Sequence, residues 1–108
     1  MRYKVEYAPS AIRDIERVRA EVFEASKSFS ITEKYIDDLM DKIEAKADFP
    51  KSGVPLYYED GFTGYYHVSF KSYLAFYRLE KDTMLVDRVL YGKSDYIRSL
   101  HLNSFDEY

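Results

Sequence analysis

Residues 73–91 read YLAFYRLEKDTMLVDRVLY, and this stretch decides the fold. Residues 73–79 are aromatic and apolar, and residues 84–91 are mostly apolar with two valines. Such residues fit a pleated, half-buried surface, so both runs are expected to be strands. Only Glu80-Lys81-Asp82-Thr83 separates them, which leaves room for a tight turn and an antiparallel pairing. Just upstream, residues 65–70 (YYHVSF) alternate, with Tyr66, Val68 and Phe70 on one face and Tyr65, His67 and Ser69 on the other. Lys71-Ser72 is the turn between them. The expectation is a three-stranded antiparallel meander.

Further out the period changes. Ile12, Ile15, Val18, Val22 and Phe23 recur at helical spacing after Pro9, a residue suited to a first helical turn. A break at 26–29 is followed by Ser30-Ile31-Thr32-Glu33, a capping-box pattern, and by Tyr35, Ile36, Leu39, Met40, Ile43 and Ala47. Two helices so closely joined predict an antiparallel hairpin. Residues 50–61 hold two Pro and two Gly without a period and read as a loop. Arg2–Tyr7 alternates as a first strand. Ser94 is placed to cap a short helix reaching about Leu102, with Tyr96, Ile97 and Leu100 on its apolar side. The order β-αα-βββ-α defines an α+β domain, a helical hairpin on a small sheet, expected to span 1–102, with 103–108 a frayed tail.

The 108 residues contain no cysteine, so neither a disulfide framework nor a thiolate zinc site or nucleophile is available. A net charge of −3 argues against a generally basic nucleic-acid binder. The charge is uneven. Residues 30–48 hold three Lys against six acids, and residues 62–101 hold six Lys and Arg against four acids. The plainest reading is a solvated helix face and scattered surface cations. Neither a signal-peptide pattern after Met1 nor a membrane-length apolar run is present, so a cytoplasmic location is expected.

Familiar chemical motifs fail on inspection. Gly92-Lys93-Ser94 ends like a phosphate-binding loop, but position 87 is Asp where that pattern needs Gly. His67 and His101 have no metal-spaced partner, and no cofactor is expected. No nucleophile elbow accompanies the serines.

The pattern as a whole is more specific. YKVEYAPSAIRDIERV (3–18), FPKSGVP (49–55) and YLAFYRLEKDTMLVDRVLYGKSDYIRSL (73–100) resemble the RelE/ParE superfamily of bacterial, plasmid-stabilisation-type toxins. Ala11 and Asp14-Ile15 match its first helix, Phe76-Tyr77-Arg78 its aromatic strand, and Arg88-Val89-Leu90-Tyr91-Gly92-Lys93 with Asp95 its end. The resemblance covers about residues 2–101. It implies the toxin of a type II toxin–antitoxin pair, held inactive in a hetero-oligomer by a cognate antitoxin.

Two activities occur in that superfamily. RelE-like members cut mRNA in the ribosomal A site without a metal; ParE-like members inhibit DNA gyrase. Cleavage by a 2′-hydroxyl needs a base, cations for the phosphorane and an acid for the leaving oxygen. The candidates are Arg78, Arg88 and Lys93 as phosphate clamps, Tyr91 or Tyr96 as proton carrier, and His67 as a base if it faces solvent. The resemblance also exposes a gap. Leu74 stands where RelE-like members commonly carry Arg, and Ser94 where many relatives carry Arg. The acidic chain likewise suits an rRNA surface poorly. The expectation is ParE-like inhibition of gyrase, with ribosome-dependent cleavage or an inactive antitoxin-binding relative as alternatives. For Arg78 and Arg88 the plainer role is an ion pair with Glu80, Asp87 or helix acids.

Overall fold

The computed structural model describes residues 2–102. Its elements are β1 (Lys4–Tyr7), α1 (Pro9–Ser26), α2 (Phe29–Glu44), β2 (Val54–Tyr58), β3 (Gly61–Phe70), β4 (Tyr73–Glu80), β5 (Thr83–Tyr91) and α3 (Tyr96–Ser99). Short 3-10 turns, Ala45–Asp48 and Pro50–Ser52, lie between α2 and β2. The strands form one sheet in the order β1-β5-β4-β3-β2. β2 to β5 run antiparallel in succession, and β1 lies parallel to β5, making the sheet mixed. The expected α+β class and helical hairpin are present; the tail at 103–108 lies outside the described residues.

The meander has one strand more than its sequence pattern suggested. Residues 50–61, expected to be a loop, contain β2 and the start of β3. Two local features hide the period. Pro55 lies within β2, where an edge strand tolerates its missing N–H, and the register with β3 slips between Pro55 and Tyr57. Before β2, the Tyr77 hydroxyl donates to the Pro50 carbonyl at 2.5 Å. Gly53 lies so close that a Cβ there would sit 2.0 Å from that hydroxyl oxygen.

The hairpin covers one face of the sheet. Ala11, Ile15, Val18, Ile36, Leu39 and Ile43 pack on Val68, Ala75, Tyr77, Met84, Val86 and Val89. The buried stripe of α1 therefore runs through Ala11, Asp14, Ile15 and Val18. Ile12 and Phe23, expected on that stripe, are 51% and 43% exposed. The hairpin is a single layer, so among the described residues nothing covers the flank of α1 turned from the sheet. The N-cap of α2 is Ser28, whose side chain accepts from the Ile31 N–H at 3.3 Å. The helix thus starts before Ser30, and Glu33 of the expected capping box pairs with Arg19 of α1 instead.

A smaller cluster fills the opposite face: Leu56, Phe76, Leu90 and Leu100, with Tyr65, Leu74, Tyr96, Ile97 and Leu102 against them. α3 is shorter than the Ser94–Leu102 expectation. Asp95 caps it by accepting from the Arg98 N–H, while the Ser94 hydroxyl donates to the Tyr91 carbonyl at 2.6 Å. As expected, most strand aromatics serve packing: Phe76 and Tyr77 are wholly buried, and Tyr65, Tyr66, Phe70 and Tyr73 are half-buried.

Candidate functional site

Two of the candidate residues, Arg78 and Arg88, are held by contacts around the second half of β5. β1 accompanies β5 only as far as the Tyr7–Val86 pair, so the backbone beyond needs other partners. α1 supplies them from one face. The Ser10 hydroxyl donates to the Asp87 carbonyl at 2.8 Å. The Val89 N–H donates to Asp14 Oδ2 at 2.9 Å, and Arg17 Nη2 donates to the Val89 carbonyl at 3.2 Å. Spacings of four and three residues put Ser10, Asp14 and Arg17 on one helical stripe. Ala11, fully buried, lets the helix approach closely enough for them to reach. The Ala-x-x-Asp-Ile segment thus docks a helix on a strand edge.

Asp14 also holds Arg88, with Nε 2.7 Å from Oδ2 and Nη2 3.1 Å from Oδ1; Arg88 Nη1 further donates to the Ser99 carbonyl at 3.3 Å. Arg17 approaches the same carboxylate at 2.9 Å. Burial pushes the Asp14 carboxyl up, but its bonds from Arg88, the Val89 N–H and Arg17 outweigh that and hold it below the ordinary aspartate value. The Asp14 bond in turn raises the Arg88 guanidinium.

Arg78 is paired as well. Its Nε lies 2.8 Å from Asp87 Oδ2 and its Nη1 2.9 Å from Glu80 Oε2. The Tyr65 hydroxyl donates to that same Asp87 oxygen at 2.9 Å. Burial, then the Asp87 bond, push Tyr65 up to about 12. The β4–β5 register slips here, pairing Phe76 with Arg88 but Tyr77 with Val86, so Asp87 is the extra residue of a bulge. The bulge lets two adjacent residues take separate ion pairs, Asp87 with Arg78 and Arg88 with Asp14. Ser10, Tyr65, Asp87, Arg88, Ser99 and His101 line a polar cleft of about 190 Å³.

The other candidates lie apart. Arg78 pairs with Leu85 across β4 and β5, whereas Tyr91 pairs with Tyr73. Five residues of strand separate these rungs, roughly 16 Å. Tyr91 and the exposed Lys93 therefore belong to the far end of the sheet. Tyr96 lies on Phe76, ring centroids 5.1 Å apart. His67, a base only if it faces solvent, is half-buried against Phe76 at 5.5 Å. Its Nδ1 is buried without a hydrogen-bond partner among the described residues, and burial lowers its pKa. One cluster of Arg78, Arg88, Lys93 and a tyrosine does not form. The ion-pair role expected for both arginines is what forms: Arg78 takes Glu80 and Asp87, and Arg88 takes a helix acid, Asp14. The Tyr65 hydroxyl on Asp87 is the partner that the sequence reading missed. For Tyr65 the one sequence signal was the alternation that set it on the same strand face as His67.

A second surface is apolar. Phe23, Ala20 and Phe29, with Glu16, Arg19, Thr32 and Glu33, line a groove of about 390 Å³ on the hairpin. Phe29 is 74% exposed there. Among the described residues, no group of three or more His, Cys, Asp or Glu is placed to hold a metal.

The model of a family described as the ParE toxin of type II toxin–antitoxin system, parDE, matches residues 5–96. Solved structures with a similar fold include one titled as the chromosomal ParDE system of P. aeruginosa, with TM-score 0.68 at 11% identity. That alignment covers 82% of this chain and 95% of the other. The RelBE2 toxin–antitoxin complex of Mycobacterium tuberculosis aligns with TM-score 0.53 and 20% identity over 84% of this chain and 99% of its own. The isolated E. coli RelE toxin aligns with TM-score 0.51 and 12% identity, covering 95% and 98%. At these identities the likeness is one of fold. No curated protein matches the sequence significantly.

Proposed function

Because the chain belongs to the ParE toxin family of type II toxin–antitoxin systems, we propose that it acts by binding and inhibiting DNA gyrase, and that a cognate antitoxin silences it. The observation that carries the gyrase reading is the state of the two candidate arginines. Both Arg78 and Arg88 lie within 3 Å of carboxylates. A clamp for a phosphorane needs guanidinium charge that its own carboxylates do not cancel. Leu74, at the position where RelE-like members commonly carry Arg, packs against the apolar cluster of Phe76 and Leu90. These features favour inhibition by surface contact over strand cleavage.

The antitoxin is proposed to lay an amphipathic helix in the hairpin groove beside Phe23 and Phe29, forming a toxin–antitoxin hetero-oligomer. Gyrase as target puts the action in the cytoplasm, and no helix among the described residues is long and apolar enough to cross a membrane. Supercoiling by purified gyrase, titrated with the chain, tests the proposal. The expected result is loss of supercoiling, reversed by the antitoxin. Unaffected supercoiling at excess chain overturns the gyrase reading, and A-site cuts in primer extension on translated mRNA would assign ribosome-dependent cleavage in its place.

A further inference from the structure

At the far end of the sheet, Glu21, Val22 and Ala25 of α1, Tyr35 of α2, Tyr73 of β4 and Tyr91 of β5 line a hollow of about 410 Å³. Its walls are fixed by contacts among the lining residues and with Phe70. Tyr35 meets Phe70 edge to face at 5.2 Å, and Tyr91 meets Tyr73 edge to face at 6.2 Å. The Tyr73 hydroxyl donates to Glu21 Oε1 at 2.8 Å and holds that carboxylate in place. Burial first, and then Glu21, raise the Tyr73 pKa, so this hydroxyl stays a donor.

Glu21 continues the stripe of Ser10, Asp14 and Arg17 along α1 but has no ion pair among the described residues. The neighbouring cations are engaged elsewhere. Arg17 is on Asp14, Lys27 on Glu24, and the Lys71 ammonium lies 5.8 Å from the Phe70 ring centre. A wall of three tyrosines with one carboxylate outside any ion pair among the described residues has the chemistry of a cation receptor. The rings attract positive charge through their quadrupoles, and the carboxylate completes the pair.

We propose that this hollow receives the cationic side chain, arginine or lysine, of a protein partner. The site does not depend on which target the toxin acts upon. Two-dimensional NMR of the purified full chain tests it, following the rings of Tyr35, Tyr73 and Tyr91 during titration with N-acetyl-arginine amide. The neutral isostere N-acetyl-citrulline amide serves as control. A single side chain with one ion pair and ring contacts should saturate at about 10 mM. The expected result is saturable shifts of the three rings by the arginine compound, at least about tenfold weaker with citrulline. Glu21→Gln should weaken the arginine response by a similar factor, and Tyr91→Ala, at an exposed position, should weaken it independently. Absence of ring shifts, equal shifts with both compounds, or an arginine response unchanged in both variants overturns the proposal.

Discussion

Replacing Asp14 by alanine should be among the most damaging single changes in the molecule. Its side chain is 3% exposed, and it accepts from Arg88, Arg17 and the Val89 N–H at 2.7 to 3.1 Å. Removing it leaves the Arg88 guanidinium, whose side chain is 26% exposed, without its carboxylate and orphans a buried backbone donor. Breaking a buried pair from one side costs about 3–5 kcal/mol. Against a total stability of about 5–15 kcal/mol, that is a large share. Urea unfolding followed by circular dichroism should show a midpoint lowered by about 2 M or more, with the slope nearly unchanged. Asp14→Ala combined with Arg88→Met should recover about 1 kcal/mol or more, since the stranded charge is then gone. The wild type should also lose stability on acidification. The folded pKa of Asp14 is depressed, so its contribution is complete above the unfolded value near about 4 and is lost as pH falls below it. Asp14→Asn should flatten that limb. A cost below about 1 kcal/mol for Asp14→Ala, with no recovery in the double variant, would refute the role assigned to this pair.

Two further predictions concern the sheet. Gly53→Ala should cost about 1–3 kcal/mol in thermal unfolding, because its Cβ would lie 2.0 Å from the oxygen of the buried Tyr77 hydroxyl. Gly64→Ala, with open space around the Cβ but a φ of 90°, should cost only about 1–2 kcal/mol of backbone strain. His67 predicts a pH effect. Burial depresses its folded pKa, so the unfolded chain binds the proton more readily, and stability falls as pH drops below about 6.5. His67→Phe should remove that slope from unfolding midpoints measured at successive pH values.

The strand at 65–70 was legible because each face of a half-buried strand imposes a period of two on the chain itself, and those at 73–79 and 84–91 because aromatic and β-branched residues suit a pleated surface. The two helices were legible for the same reason at a period of 3.6, as was the packing role of most aromatics. What escaped was whatever breaks a period. Pro55 and a register slip concealed β2, and the uncovered flank of α1 left Ile12 and Phe23 exposed where spacing alone would bury them. The candidate arginines were named, but their partners were left open between two carboxylates on their own hairpin and those of the helices.

The sequence by itself determined the layered α+β plan and the segments that identify the superfamily, because hydrophobic period and turn chemistry act over a few neighbouring residues. Only the tertiary structure decided what those residues do. Asp14 meets Arg88 across 74 residues, and Glu21 meets Tyr73 across 52. The bulge at Asp87 settles which arginine takes which carboxylate. Contacts over such separations depend on strand register and on how closely α1 approaches β5, and a shift of one residue in register would turn every side chain to the opposite face.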